Sequence, residues 1–136
     1  RLGAEANGID LGTLPIIHGD FSEESGANAA EQLITEHPEV TAIVAYNDRM
    51  AMGAIKRLQT LGFSVPDPIS VVGYDDLPRS SDFTPPLTTI NHNLSEVGGL
   101  AMAMLMEIMQ GKEPEPIIFS PHLVIRESTA VPCQRC

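Results

Sequence analysis

Three short apolar runs lack polar alternation: Leu14–His18 (LPIIH), Thr41–Ala45 (TAIVA) and Ile69–Gly73 (ISVVG). A strand with one wet face alternates polar and apolar residues, so a continuous run needs apolar cover on both faces. Two segments of helical period lie between the runs. Ser22 to His37 has Ser22 as a cap, Glu23 and Glu24 in its positive first turn, and Pro38 as its stop. Ala27, Ala30, Leu33 and Ile34 form its apolar face. Asp48 to Leu61 follows Asn47 as a plausible cap, spaces Met50, Ala51, Ile55, Leu58 and Leu61 helically, and exits through Gly62 and Pro66. This alternation predicts an α/β fold, a βαβαβ unit of parallel strands covered on both faces. Further on, Tyr74–Pro86 reads as a long loop and Leu87–Ile90 as a strand. Asn93 and Glu96 form an N-x-x-E capping box opening a helix to about Gln110, striped by Leu94, Val97, Ala101, Met104, Leu105 and Ile108. His122–Arg126 reads as a last strand.

A length of 136 residues allows one domain. Eighteen acidic residues against eight basic ones give a charge of −10, and no Lys/Arg run exists, so these residues are not expected to hold DNA. No stretch of 18 apolar residues is present, which excludes a spanning helix from the expectation. The chain opens on Arg1 and reads as an internal fragment or processed piece. Cys133 and Cys136 have C-x-x-C spacing, suited to a metal or redox pair, but no second ligand pair stands beside them. The expectation is a terminal tail, a reducing cytoplasm, and no metal or cofactor. His18, His37, His92 and His122 are too dispersed to name as ligands, and the methionines sit mostly at core spacing.

In an open parallel sheet, ligands bind beyond the carboxyl ends of the strands. There the sequence places Gly19, Asp20 and Phe21; then Tyr46, Asn47, Asp48 and Arg49; then Tyr74, Asp75 and Asp76. Carboxylates, an amide, an arginine and an aromatic face suit a ligand bearing many hydroxyls. Each residue also has a plainer use: Asn47 or Asp48 as a helix cap, Asp75–Asp76 as a solvated turn, Phe21 as a hydrophobic staple. Paired Asp residues could hold Mg²⁺ for phosphoryl transfer, but no glycine-rich phosphate loop, G-x-S-x-G or internal Cys nucleophile accompanies them. Catalysis is the weaker expectation.

The run Thr41–Asp76, TAIVAYNDRMAMGAIKRLQTLGFSVPDPISVVGYDD, resembles the effector-binding core of the LacI/GalR (lactose-repressor) family of bacterial transcription regulators. GDFSEESG ending at Gly26, PPLTTI at Pro85–Ile90 and LVIREST at Leu123–Thr129 match the same pattern in the same order. The resemblance implies a regulator with a helix-turn-helix headpiece, a hinge and a two-lobed, periplasmic-binding-protein-like (type I) core. This chain would be a truncated effector domain: the second lobe over about 1–91 and 121–130, with 92–120 a crossover segment belonging to the missing first lobe. The headpiece would be absent. By similarity, Phe21 stacks on effector, Asn47 and Arg49 line the cleft, Asp75 accepts effector hydroxyls, and His92 and Leu94 lie at the crossover. Arg49 departs from the smaller or neutral residues common there and would favour an anionic effector such as a sugar phosphate or acid. Met52, Lys56, Arg79 and Phe83 correspond to the family's dimer contact.

The implied mechanism is effector-driven closure of one lobe on the other, which changes dimer geometry and moves the headpieces on DNA. The implied partners are a sugar-like effector and a second copy in a homodimer or higher oligomer, with DNA bound only through the headpiece and no membrane. The helix from Asn93 is expected to fold back on its own sheet or pack on another copy, because its stripe is too apolar to leave in water. A periplasmic-type solute-binding protein of a sugar transporter is the second reading, and a small flavodoxin-like metal-dependent enzyme the third.

Overall fold

The computed structural model describes residues 6–132; Arg1, Cys133 and Cys136 lie outside the described residues. After a single 3₁₀ turn at Leu11–Thr13 the elements run α1 (Glu23–Glu36), β1 (Ala42–Val44), α2 (Asp48–Thr60), β2 (Ser70–Val72), α3 (Arg79–Asp82), β3 (Thr89–Asn91), α4 (Leu94–Met109) and β4 (His122–Val124). β1 and β2 pair in parallel, Ile43 opposite Val71, and a parallel bridge from Val72 to Thr88 extends the sheet. β3 pairs antiparallel with β4, Asn91 opposite His122.

The caps of the first two helices follow from the sequence. Ser22 accepts the Ser25 N–H at the start of α1, and Asn47 accepts the Met50 N–H at 2.8 Å at the start of α2. These helices cross closely at two glycines. A Cβ on Gly53 would lie 1.8 Å from the Glu23 carbonyl oxygen, and one on Gly26 would lie 2.2 Å from that of Met50. Beneath them, Ala30, Ile43, Ala51, Ile55, Leu58, Ile69, Val71 and Leu87 make the core, with Leu33, Ile34 and Phe83 packed against it.

Several expectations need correction. Leu14–His18 forms no strand, and its Leu14 and Ile16 are exposed. At β1 the cover is on one face only among the described residues: Ile43 is buried and Val44 is 80% exposed on the other side, while Ser70 and Val72 of β2 are half-buried. A continuous apolar run therefore reports a demand for cover without showing that these residues meet it. The long loop contains a helical turn, α3. Asn93 does precede α4, but it adopts a left-handed conformation (φ 58°) with no side-chain cap bond, so the capping box does not form. α4 buries none of its residues, so it does not fold back. Both of its ends leave through the β3–β4 ribbon. Met52 is 1% exposed within the core, so its side chain does not reach the surface to meet a second copy.

Candidate functional site

The carboxyl ends of the strands deliver three loop tips to one rim. From β1 come Tyr46 and Asn47, from β2 Tyr74–Asp76, and from β3 Asn91 and His92; Phe21 enters from the loop before α1. Asn47 serves twice: its Oδ1 caps α2 and its Nδ2 donates to the Phe21 carbonyl at 3.2 Å. The capping use and the rim position are therefore compatible. Phe21 is 55% exposed and meets Tyr46 edge-on, with ring centroids 5.0 Å apart. It is no staple, because the staple's partner position in α1 falls on Gly26, which has no side chain.

Asp48 ties the first tip to the second. Its N–H donates to the Tyr74 carbonyl at 2.8 Å, and its fully buried carboxylate accepts from Leu77 N–H and from the hydroxyls of Ser80 and Thr89. Beside it, the half-buried Asp75 carboxyl is pushed up, first by burial and then by the Asp48 charge, with His92 opposing. His92 stacks on Tyr74 at 5.0 Å and holds a buried Nδ1 with no hydrogen-bond partner among the described residues. Asp76 faces the other way: it accepts from Arg126 at 2.7 Å and from Asn91 Nδ2 at 2.7 Å. Burial raises its carboxyl, but these hydrogen bonds and the Arg126 and His122 charges outweigh that and leave it below the usual range. Asp20, whose carboxylate accepts the Ser22 N–H at 3.0 Å, is held down at about 2 by its hydrogen bonds to Ser22 and Ser25.

Phe21 and Asn47 thus meet directly, Asp75 and His92 meet electrostatically, and the Asp48–Tyr74 bond joins the two pairs. Arg49 is exposed in the first turn of α2, with no ion pair among the described residues. Among the described residues, the four non-glycine residues with positive φ sit in these loops: Phe21, Asp75, Asp76 and Asn93. Sparsely populated backbone conformations cost energy and collect where a side chain must be aimed. An open volume of about 390 Å³ lies beside Asp75, between Asp76–Pro78 and the start of α4.

Tyr46, Asp48, Tyr74 and Asp76 were placed at the strand ends without an individual ligand role, and Arg126 was not among the candidates. Both tyrosines of the chain directly follow apolar runs, and that position was the available signal. The overall shortage of aromatics hides how many of them the rim collects. Elsewhere on the surface, Glu23 pairs with Lys56 and, at 3.3 Å, with Arg79, and the Lys56 and Arg79 cations lie 6.0 and 5.8 Å from the Phe83 ring. Lys56, Arg79 and Phe83 therefore form one patch. Among the described residues no His/Cys/Asp/Glu group of three could hold a metal, and no helix is long and apolar enough to cross a membrane.

A parallel-stranded lobe with acids and aromatics at its strand ends has the layout in which α/β folds bind small ligands. The periplasmic binding protein-like domain matches residues 1–129, and the chain belongs to that family, as an effector-binding region of the LacI/GalR type. The repressor PurR of Photobacterium profundum is 44% identical over 127 residues, covering 92% of this chain and 38% of the relative. The solved transcriptional regulator CelR–cellobiose complex superposes with a TM-score of 0.85 at 32% identity, over 94% of this chain and 40% of that one. The lac repressor dimer bound to operator and the anti-inducer ONPF gives 0.82 at 35% identity, over 94% and 44%. The chain therefore spans under half the length of the relatives it matches.

Proposed function

We propose that this chain is the effector-sensing lobe of a bacterial transcription regulator. Its rim takes a small polyhydroxylated effector, a sugar or sugar derivative. Phe21 covers an apolar face of the ligand, Asn47 offers the free capacity of its amide, and Asp75 accepts hydroxyls. His92 closes the crossover side. Arg49, exposed and in no ion pair among the described residues, selects ligands carrying a phosphate or carboxylate. The observation that carries this reading is the gathering of the described left-handed non-glycine residues Phe21, Asp75, Asp76 and Asn93 into the same loops as the exposed aromatic pair and the half-buried acid. The repressor relatives favour it over the transporter and enzyme readings.

Residues 1–91 and 121–130 act as one lobe, and 92–120 is a crossover whose α4 packs on a first lobe. α4, none of whose residues is buried and whose two ends leave through the β3–β4 ribbon, supports that division. Effector closes the lobes, and the Lys56–Arg79–Phe83 patch carries the change to a second copy. A ligand shifts that equilibrium only by its difference in affinity for the two states, about 2.7 kcal/mol for a ~100-fold preference. DNA contact is left to a headpiece elsewhere in the regulator, which acts inside the cell.

Calorimetric titration of the regulator carrying this lobe with neutral sugars, sugar phosphates and sugar acids tests the assignment. Binding of at least one ligand, lost in Asp75→Asn and confined to anionic ligands by Arg49, is expected. Equal binding by wild type and Asp75→Asn would remove Asp75 from the site.

A further inference from the structure

The segment carrying α4 is joined to the lobe through two strands, β3 entering and β4 returning. Both strands are tied to the same carboxylate. Asn91, the last residue of β3, donates to Asp76 at 2.7 Å, and Arg126, two residues beyond β4, donates to its other oxygen at 2.7 Å. Arg126 also donates to the Leu87 carbonyl at 2.8 Å through its other terminal nitrogen, and its N–H donates to the Thr88 hydroxyl at 2.9 Å. The guanidinium therefore bridges the rim loop to the strand entering the ribbon, and it does so half-buried, where a planar fork with two fixed donors outperforms a single ammonium. The immediate neighbour of Asp76 is Asp75, whose N–H donates to the Ile90 carbonyl at 3.0 Å. These two consecutive residues have φ of 122° and 53°, and left alone such a pair relaxes toward ordinary backbone.

We propose that Arg126 is a positioning residue for the effector site. Through Asp76 it holds Asp75 in its left-handed conformation and fastens the rim to both strands of the ribbon. Movement of the α4 segment and the aim of Asp75 are then one mechanical event. This rests on Asp75 being the effector acid, as above.

The test is residue-resolved amide hydrogen exchange on the whole chain, with Arg126→Met, Asp76→Asn and the double variant. Arg126→Met is expected to speed exchange of the Asp75 and Leu77 amides at least tenfold, while the α2 amides of Ala51–Leu58 change less than twofold. Asp76→Asn is expected to do the same, and the double variant no more than either single one. Unchanged Asp75 exchange, a rise shared equally by α2, or multiplying effects in the double variant would each overturn the proposal. Should Arg126→Met fail to fold, the comparison of Asp76→Asn with wild type decides by the same criteria. Asp75→Asn separates the two readings: if it keeps ligand binding while Arg126→Met still loosens the loop, the effector assignment falls and the positioning role stands.

Discussion

Asp48 sits fully buried with the Leu77 N–H and the hydroxyls of Ser80 and Thr89 all directed at one carboxylate. Asp48→Ala strands three donors, each costing about 1–3 kcal/mol when left dry, so a loss of about 3 kcal/mol or more is expected in urea unfolding. Asp48→Asn keeps one acceptor and should lose less; equal stability of all three proteins would refute the network's role. Asp75 behaves oppositely. Its carboxyl is raised in the fold, so its contribution to stability is present below the unfolded carboxylate value and is lost as pH rises through the folded one. Asp75→Asn should therefore raise the melting temperature at pH 7, with the gain vanishing below about pH 4. A melting temperature unmoved at pH 7 would contradict that. Asp20, held at about 2, supplies stability above the ordinary carboxylate range that disappears as pH falls toward its own value. At this scale the sequence showed Asn47 as a cap, since capping is a local rule. It left open whether Asn47 or Asp48 did that work, because Asp48's partners lie 29 to 41 residues away.

Between elements, the same substitution should change sign with its surroundings. Gly53→Ala places a methyl 1.8 Å from the Glu23 carbonyl oxygen, a backbone atom, so α1 must move off α2. A cost of about 1–3 kcal/mol or more is expected. Gly98→Ala and Gly99→Ala meet nothing within 4 Å in α4, and there the gain in helix propensity should stabilise that helix by about 0.5–1 kcal/mol each. Circular dichroism melts of the variants check both directions. The helices themselves were legible because caps, glycines and prolines punctuate them locally. The expected strand at Leu14–His18 was not, because apolarity signals burial without naming the partner that supplies it. Asn93 failed as a capping box for a related reason. Its N–H is already engaged by the Asn91 side chain at 2.7 Å, and its left-handed backbone points the amide elsewhere.

Over the whole molecule, two long-range effects compete. The chain carries −10, which repels a second copy, yet α4 exposes Leu94, Met102, Leu105, Met106, Ile108 and Met109, and β1 adds Val44. Covering even three such side chains is worth several kcal/mol at ~1.5–3 kcal/mol each. Charge repulsion between surfaces is a screened quantity, since the Debye length shrinks from about 30 Å at ~0.01 M salt to about 10 Å at ~0.1 M. The apolar term does not weaken with salt, so it wins as ionic strength rises. The 136-residue chain should therefore sediment as a mixture dominated by assemblies larger than a monomer at ~0.1 M salt, and shift toward monomer at ~0.01 M. Met102→Glu combined with Met106→Lys removes apolar surface one turn apart on α4 without changing net charge, and should restore the monomer at both salt concentrations. Association that weakens as salt is added would show that ion pairs, rather than the bare face of α4, hold the copies together. A monomer under every condition would mean that this helix tolerates water better than its composition allows.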